Sequence, residues 1–170
     1  NLFSLVLDCG VQPDHVTELE RVLIQSAPQL QQLRVYLNTK DERDFERIFG
    51  AIGSLQRLTA LCVGFPFSYD ERLSLHLCRA LQRVQKTLTF LECWCSTDPI
   101  FQYLCSHLVG PNLRVVRMCD HVVSGKQMQL LSKSFDTMPY LRELRLNFCS
   151  DEAVDFLSSF FRSKYRPHFE

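Results

Sequence analysis

The chain has 170 residues, of which 46% are hydrophobic and 22% charged, and its 19 basic residues balance 19 acidic ones. That length makes one domain, and that balance excludes a disordered tail, a collagen-like fibre and a strongly basic nucleic-acid binder. There is no apolar run of the roughly 20 residues that a bilayer span requires, no leader of basic then apolar residues, and no crowding of the eight cysteines, so the expectation is a globular protein of cytosol or nucleus with reduced thiols.

The first strand is expected around Leu2, Leu5 and Leu7, spaced L-x-x-L-x-L, followed by a helix whose apolar stripe is Val16, Leu19, Leu23 and Ala27. The strand spacing returns as Leu30, Leu33 and Val35, ahead of a helix with Phe45, Ile48, Phe49 and Ile52 that Thr39 and Glu42 would open as a capping box. A third copy, Leu58, Leu61 and Val63, precedes a helix with Leu73, Leu77, Leu81 and Val84, for which Ser68 and Glu71 have the same capping spacing. The fourth is Leu88, Leu91 and Cys93, with Asp98 and Pro99 opening a helix through Ile100, Leu104 and Leu108. Leu113, Val116 and Met118 form the fifth, with Ser124 and Gln127 capping a helix through Met128, Leu131 and Phe135. The sixth is Leu141, Leu144 and Leu146, with a helix through Val154, Leu157 and Phe161. Successive first leucines are 28, 28, 30, 25 and 28 residues apart, a register that chance would not hold. The acidic run Asp41, Glu42, Asp44 and Glu46 is matched by Arg43 and Arg47 and reads as a solvated helix exterior.

Six strand-helix units of about 28 residues resemble the leucine-rich repeat family, and the unit length is similar to its ribonuclease-inhibitor-like class. The last copy, Leu141 to Asp151 with Cys149 after the strand, also resembles the repeats of F-box proteins. The resemblance covers nearly the whole chain. It implies an α/β leucine-rich-repeat solenoid, a right-handed superhelix with a six-strand parallel concave sheet and outer helices, forming a single domain over residues 1–170 with repeats starting near 2, 30, 58, 88, 113 and 141. Such an array curves because strands sit about 4.8 Å apart while packed helices need about 8 to 10 Å. Leu2 would stand on an edge strand with nothing paired beyond it, and a further period after Leu141 lands on Phe169, so the chain is expected to be a piece of a longer protein.

Residues between the core leucines alternate to the other side of the sheet, so the concave face can be named from sequence. It reads Ser4, Val6, Asp8; Gln32, Arg34, Tyr36; Ala60, Cys62, Gly64; Phe90, Glu92, Trp94; Val115, Arg117, Cys119; Glu143, Arg145, Asn147. Tyr36, Arg34, Phe90, Glu92, Trp94, Arg117, Arg145 and Asn147 are the candidate partner-binding residues, because exposed aromatics and arginines dominate binding energy at protein interfaces. Ala60, Cys62 and Gly64 would leave room for an inserted group. The preferred ligand would be a protein segment placing an apolar anchor near Trp94 and an acidic group near Arg117 and Arg145. The competing expectation is that Phe90 and Trp94 pack under a loop while the arginines pair with Glu92 and Glu143.

No catalytic, metal or cofactor site is expected. Cys93 and Cys95 share the core side of a strand and lack further zinc ligands; Cys78 and Cys105 sit near helical apolar stripes; Cys62 and Cys119 would face the concave surface. The triplet Cys119, Asp120, His121 cannot form a relay, because adjacent strand residues point to opposite faces. The six glycines form no phosphate-binding loop. The function expected is therefore a noncatalytic protein-interaction module, a scaffold or adaptor such as a ubiquitin-ligase substrate receptor. The alternative is RNA binding, as in RNA-export or RNA-processing members of the family, with Arg114, Arg117, Arg142 and Arg145 as a basic stripe; Glu92, Glu143 and Asp8 interrupt that stripe.

Overall fold

The structure, a computed structural model, describes residues 2–26, 28–64, 71–94 and 110–164. Six strands, β1 (Ser4–Val11), β2 (Gln32–Leu37), β3 (Ala60–Gly64), β4 (Phe90–Trp94), β5 (Val115–Val123) and β6 (Glu143–Cys149), form one sheet in chain order, with every neighbouring pair parallel. Five α-helices are described: α1 (Val16–Arg21), α2 (Glu42–Ile52), α3 (Glu71–Val84), α4 (Gly125–Ser134) and α5 (Asp151–Lys164). A π-helical turn at Val22–Ser26 extends α1. The helix expected around Ile100, Leu104 and Leu108, with Asp98 and Pro99, lies outside the described residues, as do Ala27 and Ser68.

The register explains why the strand spacing recurs. Leu5, Leu33, Leu61, Leu91, Val116 and Leu144 are successive partners across the sheet, and Leu7, Val35, Val63, Cys93, Met118 and Leu146 form the next core row. Both rows join one core cluster with Val16, Leu19 and Leu23 of the first helical segment, Phe45, Ile48, Phe49 and Ile52 of α2, Leu77, Leu81 and Val84 of α3, and Met128 and Leu131 of α4. The helices thus cover one face of the sheet. The junctions repeat as well. At five of them a single carbonyl accepts from two successive amides of the next unit: Phe3 from Gln31 and Gln32, Gln31 from Thr59 and Ala60, Thr59 from Thr89 and Phe90, Thr89 from Arg114 and Val115, and Arg114 from Arg142 and Glu143, all at 2.8–3.1 Å. β1 and β5 each carry a register shift, between Leu7 and Val11 and between Met118 and Val122, that lengthens them relative to their partners.

Local signals hold unevenly. Ser124 and Gln127 form the expected capping box at α4, the Gln127 amide donating to Ser124 Oγ at 3.4 Å and the Ser124 amide to Gln127 Oε1 at 2.8 Å. At α2 the expectation fails, because Asp41 is the N-cap and accepts from the Arg43 amide at 2.9 Å. A carboxylate one residue before the helix outcompetes a threonine two residues further back. Thr39 instead accepts from the Asp41 amide at 3.2 Å and donates to Asp44 at 2.6 Å, bracing the cap. Arg47 does not balance its own helix; it crosses to Glu20 (Nε–Oε2 2.9 Å) and Thr17 (3.1 Å) and clamps α2 to α1.

The ends depart most from expectation. β1 begins at Ser4, with Leu2 exposed before it. In α5 Ala153 is buried and Phe156 and Leu157 pack partly against the core, while Val154 is 50% exposed; the side chain of Phe161 lies outside the described residues. Phe135 falls in a 3-10 turn after α4 and is half-buried.

Candidate interaction face

Side chains at the alternate strand positions lie on the face without helices. One row runs Ser4, Gln32, Ala60, Phe90, Val115 and Glu143, the next Val6, Arg34, Cys62, Glu92, Arg117 and Arg145, and a third includes Tyr36, Gly64, Trp94 and Cys119. Asn147, on β6, is exposed. The side chains of Asp8, Asp120, His121 and Cys149 lie outside the described residues, as do Cys95, Cys105, His107 and His168.

The register places Glu92 at the middle of this face, flanked on the second row by Cys62 and Arg117. Glu92 is only 6% exposed, and its carboxylate is held from three sides. Trp94 Nε1 donates to Oε1 at 2.7 Å, Cys62 Sγ donates to Oε1 at 3.5 Å, and Arg117 donates to Oε2 at 3.4 Å. Arg117 then turns its Nε to Glu143 Oε1 at 2.9 Å and lays its guanidinium over the Phe90 ring, 5.1 Å from the centroid. Glu143 also meets Arg145 at 3.6 Å, while 59% of the Arg145 side chain stays in water. The hydrogen bond to Glu143, then the adjoining carboxylate charges, raise the Arg117 pKa further above its ordinary value.

The aromatics close the other side. Tyr36 and Trp94 meet edge-to-face, centroids 6.3 Å apart, directly over Gly64. A Cβ on Gly64 would lie 2.1 Å from Tyr36 Cδ1, so the space that a small residue was expected to leave there is filled by the tyrosine ring. Burial raises the Tyr36 phenol above its ordinary value, with the neighbouring Cys62 as the next cause.

Several sequence expectations are corrected by this geometry. Glu92 is buried rather than displayed, because Trp94 and Arg117 cover it. Arg117 is engaged by two carboxylates and a ring while 28% of its side chain stays exposed, and the Trp94 N–H is donated to Glu92. The arginine pairing with Glu92 and Glu143 is that of the competing expectation, although the Glu92 end is desolvated rather than a solvated ladder. Cys62 and Cys119 are on this face yet each 5% exposed. Burial first, then the Glu92 charge, pushes the Cys62 thiol up to about 11, which makes it a poor nucleophile. Cys93 is buried in the core and Cys78 likewise, its thiol pushed up to about 12 by burial. Among the described residues no three His, Cys, Asp or Glu side chains gather where they could hold a metal ion.

Two of the hollows among the described residues border the sheet. On the helix-free face a hollow of about 460 Å³ lies over Ala60 and Cys62, walled by Val6, Arg34 and Phe90. At the β1 edge an apolar hollow of about 280 Å³ lies between Leu5, Leu7, Val11 and Leu19. Sequence reasoning expected room over Ala60, Cys62 and Gly64; the hollow lies over the first two, and at Gly64 the Tyr36 ring fills it, because the reach of Tyr36 across one strand is set by its rotamer.

No family model matches the sequence, and no curated protein matches it. Among solved structures, the chain is similar to leiomodin-1 actin-binding site 2, with a TM-score of 0.59 at 15% identity over 87% of this chain and 88% of that one. That likeness is one of fold: an α/β domain. No helix among the described residues is long and apolar enough to cross a membrane.

Proposed function

We propose that the chain is a leucine-rich-repeat solenoid that works as a noncatalytic recognition module, holding a protein segment on its helix-free face as a scaffold or substrate receptor inside the cell. The five like junctions and the recurring leucine register support the repeat reading. The observation that carries the functional reading is the Glu92-centred cluster. It fixes two aromatics, a cysteine and an arginine in one arrangement, and a pre-ordered face loses little side-chain entropy on binding. The structural neighbour is named for binding actin, and protein as the ligand class is what this reading takes from it.

RNA is disfavoured because Glu92 and Glu143 stand between the arginines, and because the Phe90 face is covered by Arg117. Affinity purification of the full-length parent, compared with a Trp94→Ala, Arg145→Glu variant, tests the proposal. We expect a protein partner, retained at raised salt, to disappear from the variant. An unchanged set of partners would move the site elsewhere, and recovery of RNA lost steeply with salt would replace the reading.

A further inference from the structure

The segments leading into β3, β4, β5 and β6 place Arg57, Lys86, Arg114 and Arg142 along the edge of the sheet where these strands begin, and all four side chains are exposed. The one acid in these segments, Asp136, already has a partner of its own. Arg114 and Arg142 form a like-charged couple on adjacent strands. They stand one residue before the register partners Val115 and Glu143, and the Arg142 amide donates to the Arg114 carbonyl at 2.8 Å. Strands so joined lie about 4.8 Å apart, and like charges side by side at that spacing are destabilising. Among the described residues, the ion pairs engage other arginines and neither of these two.

The same two strands show what joins such a couple. Arg117 and Arg145 are register partners further along β5 and β6, and the Glu143 carboxylate lies between them, accepting from Arg117 Nε at 2.9 Å and meeting Arg145 at 3.6 Å. Arg114 and Arg142 repeat that arrangement without the bridging acid. Beside them stands Tyr140, which is 61% exposed and offers an apolar ring next to the two charges.

We infer that Arg114 and Arg142 hold between them one aspartate or glutamate of a partner protein segment, as Glu143 is held between Arg117 and Arg145, and that an apolar residue of the segment packs on Tyr140. This rests on the reading of the chain as a module that recognises a protein segment, and it extends the site from the helix-free face onto the edge where β5 and β6 begin. A carboxylate there relieves the repulsion of the couple and accepts charge-assisted hydrogen bonds from two guanidiniums at once. Four cations release few counterions, so the edge favours a protein acid over a nucleic-acid backbone.

The test is selection of a random twelve-residue peptide display library on the immobilised chain, followed by anisotropy titration of the enriched peptides. We expect an Asp or Glu common to them, and a loss of at least about tenfold in affinity on Arg114→Glu, on Arg142→Glu, or on exchanging the peptide's acid for Asn or Gln, with a smaller loss on Tyr140→Ala. Each charge reversal turns a like-charged couple into an opposite one, so thermal unfolding of the unliganded variants at an unchanged or raised temperature checks the fold. Peptides that ignore both reversals but are lost on Trp94→Ala or Arg145→Glu would overturn the edge site while leaving the helix-free face as a protein site. Peptides lost on both reversals yet indifferent to Trp94→Ala and Arg145→Glu would support the edge and contradict the face. No enrichment, or peptides indifferent to all four changes, would overturn both. Displacement of the peptides by poly-uridine RNA, or self-association of the chain that Arg142→Glu abolishes, would overturn the acidic segment as the occupant.

Discussion

Gly64 shows how much a single missing side chain organises. Its position in β3 brings Tyr36 and Trp94 together over bare backbone, and an added methyl would collide with the tyrosine ring at 2.1 Å. Gly64→Ala is therefore expected to destabilise by roughly 1–3 kcal/mol, the usual cost of overpacking, and by less than half of that in a Tyr36→Ala background; urea unfolding of the four-member cycle measures it. Additive losses would show that the ring does not occupy that space. The thiols give a pH prediction. Cys62 and Cys78 ionise near 11 and 12 in the folded protein against an ordinary value of 9.0. The unfolded chain then releases these protons first, so the stability contributed by the neutral buried thiols is complete below pH 9 and is lost as pH rises toward 11 and 12. Denaturant midpoints measured from pH 7 to 10.5 should be level at first and fall above 9, whereas a midpoint rising above pH 9 would contradict thiol burial. Which strand residues lie opposite one another was legible at this scale from a period of two. That Glu92 turns down beneath Trp94 was not, because a strand position fixes a side chain's face and leaves its rotamer to its neighbours.

Helix caps show why element boundaries were only partly legible. Ser124 and Gln127 cap α4 as their spacing suggests, while at α2 the same spacing at Thr39 and Glu42 loses to Asp41, since a charged acceptor at the last extended residue satisfies the first-turn amides more directly. Ser124→Ala and Asp41→Ala should each cost about 1 kcal/mol in chemical denaturation. Equal tolerance of Asp41→Ala and of an exposed surface substitution would show that α2 is not capped there. Arg47 illustrates a second limit. Read along one helix its charge belongs with Asp44 and Glu46, yet the packing of α1 against α2 offers Glu20 and Thr17 at hydrogen-bond distance. Contacts between elements about 28 residues apart are set by the stacking of units, and no window along the sequence contains both ends of them.

At the scale of the molecule, six parallel strands in chain order follow from one spacing repeated six times, and this was the most legible feature of all. Each strand buries a leucine row against the helices and must present its alternate residues on the opposite face, so register and exposed face are one fact. The terminal elements were least legible because the pattern assumes a neighbour on both sides: Leu5 and Leu7 are only half-buried, and α5 turns Val154 outward. The account depends on β3, β4 and β5 lying side by side so that Cys62, Arg117 and the indole N–H of the chain's one tryptophan meet at the Glu92 carboxylate. The direct test is the single indole N–H signal in a nitrogen-correlated proton spectrum. A carboxylate-bound N–H should resonate well downfield of its position in the unfolded chain, and should move both on Glu92→Gln and on Arg117→Met, a change on the next strand. An indole signal at the unfolded position that neither substitution shifts would contradict the arrangement of the face.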